Sequence, residues 1–236
     1  MPPSLSIDAK WFKVDQQGVD DMWEGYEFGV PGKYFEYIED FFYYTAADWT
    51  ISDTGVNTRA LATAAPTVGG VLLITLAGAD NDLSSIQKVG HSFVPTAGTN
   101  IWFECIFQTS DATQSDWLVG LVLTDATPLT TTQGIYFRKD DGDAQIDFET
   151  NATSTLSTEN NIATDVSATY VRVGFKVTGT SLVEYYVNGI KQGEFSANIP
   201  TVPLRVTIHM QNGEAVAKTM SLDYIACIQS RPHGSY

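Results

Sequence analysis

From about residue 41 to residue 230, short segments rich in β-branched and aromatic residues alternate with clusters of Gly, Asp, Thr and Pro. Segments of this length and spacing predict antiparallel strands joined by turns. The sharpest signal is Asn188-Gly189, between predicted strands at 182–187 and 191–195, because Asn-Gly is a preferred pair for a tight hairpin turn. The sequence therefore predicts an all-β fold, an antiparallel β-sandwich of jelly-roll type.

Residues 1–40 differ from the rest because aromatic and acidic residues occur there without strand alternation. Disordered tails are poor in aromatic residues, so this composition predicts an extended N-terminal arm that docks on a surface. We therefore divide the chain into an arm, residues 1–40, and a jelly-roll domain, residues 41–236. The arm either binds another subunit or wraps its own domain. The candidate partner-binding residues are Trp11, Phe12, Trp23, Tyr26 and Phe28.

The chain carries 28 Asp and Glu against 13 Lys and Arg, a formal net charge of -15. This balance argues against binding to nucleic acid or to an anionic membrane, both of which attract basic residues. The N-terminus lacks the basic and apolar parts of a signal peptide, and no apolar run is long enough to span a bilayer. Cys105 and Cys227 make no disulfide framework. These features predict a protein made in a cytoplasm.

Residues 140–149 raise the question of a site, because on a strand Gln145, Asp147 and Glu149 would share one face. The preceding turn, with Asp140, Asp141 and Asp143 around Gly142, offers oxygen ligands that suit calcium. Asp and Gly are also the residues that tight turns prefer, so a plain turn and a metal loop both stay open. The histidines, His91, His209 and His233, are widely separated and indicate no zinc site.

Residues 170–195 read Tyr-Val-Arg-Val-Gly-Phe-Lys-Val, then Gly-Thr-Ser, then a Tyr-Val-Asn-Gly hairpin. This pattern resembles the concanavalin A-like, laminin G-like superfamily, and Met-Ser-Leu-Asp-Tyr-Ile-Ala-Cys-Ile at 220–228 resembles its last core strand. The resemblance covers roughly residues 41–230 and implies a jelly roll. The superfamily contains lectins, hydrolases and structural modules, so the resemblance indicates the fold more sharply than the function.

A narrower likeness rests on Trp-Phe-Glu at 102, Ser-Asp-Ala-Thr-Gln-Ser-Asp at 110, Phe-Arg-Lys-Asp-Asp-Gly-Asp at 137 and Gln-Asn-Gly-Glu-Ala-Val-Ala-Lys-Thr-Met at 211. These segments resemble tailed-phage capsid decoration (cement) proteins. The likeness implies a virion structural protein on the capsid surface, partnered by the major capsid protein and by copies of itself. The alternative is a carbohydrate-binding module that recognises a host surface glycan.

Laminarinase-like enzymes of the same superfamily carry Glu-x-Asp-x-Glu on one strand, with the first Glu as nucleophile. Here Asp147 and Glu149 match the second and third places, but the first is Gln145, an amide that cannot act as the nucleophile. We therefore expect no enzyme activity, no catalytic residues and no cofactor. For a lectin, Trp49, Trp102 and Trp117 are candidate sugar platforms, and Trp117 is expected to be the most exposed of them.

Overall fold

The computed structural model describes residues 22–27, 32–63, 69–90 and 92–232 of the chain. The strands are β1 Tyr34–Glu39, β2 Trp49–Thr54, β3 Thr58–Leu61, β4 Leu72–Thr75, β5 Leu83–Lys88, β6 Asn100–Thr109, β7 Ser115–Val122, β8 Gly134–Lys139, β9 Gln145–Ala152, β10 Thr155–Thr164, β11 Val171–Thr178, β12 Leu182–Val187, β13 Ile190–Phe195, β14 Arg205–Asn212 and β15 Thr219–Ser230. Short 3₁₀ turns lie at Ala46–Asp48 and Pro128–Thr130. In this described part, no helix is long and apolar enough to cross a bilayer.

The strands form two antiparallel sheets packed face to face. Sheet A has the order β13-β12-β11-β6-β15-β4-β3, with β1 paired to β15, and sheet B has the order β10-β9-β8-β7-β14-β5-β2. Alternate side chains of both sheets meet in one apolar core, in which the rings of Phe103 and Phe175 stack at 4.9 Å. This arrangement confirms the predicted antiparallel β-sandwich, because each sheet buries one face against the other.

The sequence assigns residues 34–39 to the arm, but in the structure they form β1 and pair with the second half of β15. Tyr37 points into the main core, while Tyr34 points to the opposite face and packs on Trp102. Both faces of β1 therefore carry aromatic residues, which removes the apolar–polar alternation by which a strand is recognised in a sequence. The sandwich thus begins by residue 34 and not near residue 41.

Residues 22–27 cover the outer face of sheet A, and we call them the N-terminal cap. The ring of Tyr26 lies 4.9 Å from that of Tyr34 and 5.9 Å from that of Trp102, and Trp23 contacts Tyr26 at 5.8 Å. Gly174 provides space for Met22, since a Cβ there would overlap the Met22 sulfur. Of the candidate partner-binding residues, Trp23 and Tyr26 therefore pack on their own domain, while Trp11, Phe12 and Phe28 lie outside the described residues.

The tryptophans proposed as sugar platforms are buried. Trp117 is fully buried and donates its indole N–H to Asp165 at 3.1 Å, so the expectation of an exposed Trp117 is wrong. Trp49 lies under the ammonium of Lys88, and Trp102 lies beneath the cap. The two cysteines, Cys105 and Cys227, are free thiols in the core, and burial raises the pKa of both.

The β12–β13 hairpin turns at Asn188 and Gly189, which have φ values of 51° and 77°. Two successive positive φ values are the signature of a type I′ turn. We expect Gly189→Val to lower the free energy of unfolding by about 1 to 3 kcal/mol, because a β-branched residue is strained at positive φ. Chemical denaturation measures the change. Gln192→Val, on the neighbouring strand, is the control, and an equal effect from both variants would contradict the assignment.

Candidate functional site

The outer face of sheet B is unusually polar and is largely buried. The strand register aligns its side chains in two rows that cross β5, β14, β7, β8 and β9. The first row is Gln87, Thr207, Gly120, Tyr136 and Glu149, and the second is Ser85, His209, Leu118, Arg138 and Asp147. Because these residues come from five strands, only the pairing of the sheet brings them together.

One part of this face, which we call the open half, is partly exposed to solvent: Gln145, Asp147 and Arg138. The Arg138 guanidinium pairs with Asp140 and lies 3.8 Å from the Glu149 carboxylate. Burial raises the pKa of Asp147, whose carboxylate accepts a hydrogen bond from the Asn161 N–H at 2.7 Å. The open half therefore presents the Arg138 guanidinium, which already pairs with acidic side chains, together with the amide of Gln145 and the carboxylate of Asp147.

The rest of the face, which we call the covered half, is almost completely buried. It comprises Ser85, Leu118, Val122, Tyr136, Glu149, Asn151 and His209. Leu118, Val122 and Tyr136 form a small apolar cluster on it, separate from the main core. The Tyr136 ring lies over Gly134, where a Cβ would come within 2.8 Å of the ring. A glycine thus lets the ring lie along the sheet, between polar residues on either side.

Titratable groups in the covered half are perturbed mainly by burial. Burial raises the pKa of Glu149, against the smaller opposing effects of the Tyr136 hydrogen bond and the Arg138 charge. Burial, followed by the positive charge of Arg138, lowers the pKa of His209 to about 4. At neutral pH His209 is therefore uncharged, with one ring nitrogen as donor and the other as acceptor. Such shifts are common at functional sites, although buried structural groups show them as well.

Residues 123–133, which join β7 to β8, cover this half, and we call them the covering loop. Its 3₁₀ turn at Pro128–Thr130 lies against β7 and β14, and Leu129 packs on the apolar cluster. The Gln87 side-chain amide accepts from the Asp125 N–H at 2.9 Å on one side. On the other side the Asn151 amide donates to the Thr131 carbonyl at 2.9 Å. The loop is therefore held from both flanks of the sheet.

The acidic turn before β9 does not gather its carboxylates. The Asp140 side chain pairs with Arg138, the Asp143 side chain accepts from the Gln145 N–H at 2.8 Å, and the Asp141 N–H donates to Asp116. The ammonium of Lys139 donates to the carbonyls of Asp140 and Asp143. No group of three or more metal-ligating acidic, His or Cys side chains occurs within the described residues. This geometry is that of a turn in which the Lys139 ammonium binds two backbone carbonyls.

Sequence reasoning found Gln145, Asp147 and Glu149 on one face of β9, as the structure shows. It missed Tyr136, Arg138 and His209, which lie on other strands. The sequence contained one signal for this site: Gly120 in β7 and Gly134 in β8. A glycine inside a strand often marks a close approach of another group. A signal of this kind locates a site without identifying its chemistry.

The chain resembles solved structures that act on or recognise carbohydrates. A Bacillus licheniformis β-glucanase matches with a TM-score of 0.62 at 13% identity, over 81% of this chain and 96% of that one. An endo-1,3-β-glucanase from Streptomyces sioyaensis matches with a TM-score of 0.59 at 13% identity, over 86% and 99%. The Emp46p carbohydrate recognition domain, in metal-free form, matches with a TM-score of 0.55 at 11% identity, over 77% and 88%. No protein-family model and no curated protein matches the sequence.

At these identities the similarity shows the fold alone, and it confirms the predicted jelly-roll sandwich. The prediction that the chain is not an enzyme was based on the residues of β9 alone. It is wrong, because the solved structures with this fold include glucanases. A missing carboxylate at Gln145 excludes one arrangement of catalytic residues, while the register adds groups from other strands to the same face. The similar structures give no support to a capsid role.

Proposed function

We propose that this chain is a carbohydrate-binding or carbohydrate-active β-sandwich whose outer face on sheet B binds a neutral β-glucan. One observation supports this most directly: Gln145, Asp147 and Arg138 form a partly exposed polar patch next to the buried polar groups of the covered half. Amide and carboxylate oxygens accept hydrogen bonds from sugar hydroxyls, and the guanidinium donates to their oxygens. The glucanases of similar fold add weight to this choice of ligand.

The charge of the face favours a neutral glycan over a uronate polymer. Arg138 pairs with Asp140, and Asp147 adds another acid, so the open half has an excess of negative charge. The whole chain, at -15, has the same sign. Like charges repel over the Debye length of about 10 Å at 0.1 M ionic strength, which opposes the approach of a polyanion.

Isothermal titration calorimetry with laminarin, a mixed-linkage β-1,3-1,4-glucan and a glucuronan tests the proposal. We expect binding to a neutral glucan and none to the glucuronan. Gln145→Ala together with Arg138→Ala should weaken binding by about tenfold or more, because hydrogen bonds to charged groups are lost. Gln192→Ala, on the distant edge strand β13, is the matched control. Absence of binding to either neutral glucan would overturn the proposal.

Glucan cleavage is a second candidate, favoured by two carboxyl groups, Asp147 and Glu149, on one face of β9, where burial raises the pKa of Glu149 toward that of a general acid. Reducing ends released during the same incubations measure cleavage. Where cleavage occurs, Glu149→Gln should lower its rate by about 100-fold or more, because the amide keeps the shape but carries no acidic proton. An unchanged rate in that variant would remove Glu149 from the reaction.

The capsid decoration role suggested by sequence resemblance is a separate prediction with no support from the similar structures. Co-sedimentation with assembled phage capsids distinguishes it from glycan binding, since the two assays need different partners.

A further inference from the structure

Buried polar atoms without a hydrogen-bond partner are concentrated in the covered half. Both ring nitrogens of His209, the Ser85 hydroxyl and Oε2 of Glu149 have none among the described residues. These three side chains are each more than nine-tenths buried. Buried polar side chains are normally hydrogen-bonded, so several unsatisfied ones on one surface need an explanation. They lie around the apolar cluster on which Leu129 of the covering loop packs, and this common position suggests that a ligand satisfies them.

The register places these atoms around an apolar centre. His209 pairs directly with Ser85 on one side and with Leu118 on the other. Glu149 pairs with Tyr136, which belongs to the same apolar cluster as Leu118. The covered half is therefore an apolar floor with unsatisfied donors and acceptors at two flanks. A sugar ring has the matching character, an apolar C–H face with a rim of hydroxyls that both donate and accept.

The covering loop is attached at its base and at a few points along its length, among them the Thr132 carbonyl, which accepts from the Ser154 N–H at 3.0 Å. Its side-chain anchors are the Gln87 and Asn151 amides, and its apolar contact with the cluster is made by Leu129. Its base is closed by the Leu123 N–H, which donates to the Gln133 carbonyl at 3.0 Å. The base can therefore act as a hinge, while the anchors are neutral hydrogen bonds that solvent or ligand hydroxyls can replace.

We propose that the covered half is a closed site for a short segment of a neutral glucan and that the covering loop must lift to admit it. In the structure Leu129 occupies the apolar floor that the C–H face of the sugar would cover. Ser85 and His209 at one flank and Glu149 at the other, which lie on β5, β14 and β9, then bind hydroxyls of successive sugar units. The proposal rests on the proposed glucan binding, and it adds where the glucan segment sits and which loop controls access.

NMR of the full chain with ¹⁵N-labelled histidine tests the location. The chain has three histidines, and His209→Gln assigns the resonance of His209 by its disappearance. On titration with laminarin oligosaccharides we expect the His209 resonance to shift and to saturate in step with the calorimetric heat. Heat without a shift of this resonance would overturn the closed site and leave glucan binding at the open half intact. If the titration gives neither heat nor a shift of this resonance, both proposals are overturned.

Leu129→Ala tests the loop. A weaker contact with the floor raises the fraction of open molecules, so we expect about tenfold tighter binding. Leu156→Ala, which removes an exposed leucine from β10, is the matched control. Gln87→Ala releases the same loop without changing its apolar residue and should act in the same direction, with Gln192→Ala as control. Unchanged or weaker binding in both loop variants would overturn the lifting step.

Discussion

Removal of residues 1–40 is expected to unfold the protein or to leave it with little stability. The truncation deletes β1, which pairs with the second half of β15, and so exposes a central strand of sheet A along one edge. It also removes the buried rings of Tyr34 and Tyr37. Burying a large apolar side chain contributes about 1.5 to 3 kcal/mol, so the two rings together are comparable with a typical total stability of about 5 to 15 kcal/mol.

Circular dichroism during thermal and urea denaturation measures this effect. The control truncation removes residues 1–21 and keeps both β1 and the cap, so the difference between the two truncations isolates the contacts on which the prediction depends. A Tyr34→Ala variant keeps β1 and removes the contacts of the Tyr34 ring with Trp102 and Tyr26. A truncation at residue 40 that unfolds at the same urea concentration as the full chain would contradict the role of β1.

Protonation of His209 is expected to destabilise the fold in acid. Its pKa is about 4 in the folded state and near 6.5 when unfolded, so between these values the unfolded chain binds more protons. Stability therefore falls as the pH decreases from about 6.5 to about 4. The contribution of this residue approaches about 3 kcal/mol once the pH is below the folded value. Arg138, whose positive charge disfavours the imidazolium, adds to the effect of burial.

Denaturation of the wild type and of His209→Gln between pH 4 and pH 8 tests this sign. The comparison is between the two proteins, because Asp147 and Glu149 on the same face have raised pKa values and so stabilise the fold as the pH falls. As the pH falls, we expect the free energy of unfolding of His209→Gln to rise relative to that of the wild type. His91→Gln is the control for loss of a histidine. Parallel pH profiles for wild type and His209→Gln would contradict the buried, neutral state of His209.

The covered half also shows why a strand-by-strand reading of the site is incomplete. The sequence pattern of β9 places Gln145, Asp147 and Glu149 on one face, and this is correct. The same pattern cannot show that Glu149 is buried while Asp147 is partly exposed, because burial depends on packing between distant segments. Nor can it show that His209, sixty residues after Glu149 in the chain, lies on the same surface.

The sequence by itself determined the fold class and the turn at Asn188-Gly189, because strand periodicity and turn chemistry are local properties of the chain. It also determined the alternation along β9. Only the tertiary structure decided that β1 belongs to the sandwich, since aromatic residues on both of its faces hide the alternation. Tertiary packing likewise decided that Trp117 is buried and which residues lie beneath the covering loop. Strand order and long-range packing set these properties, because they join residues that are distant in sequence.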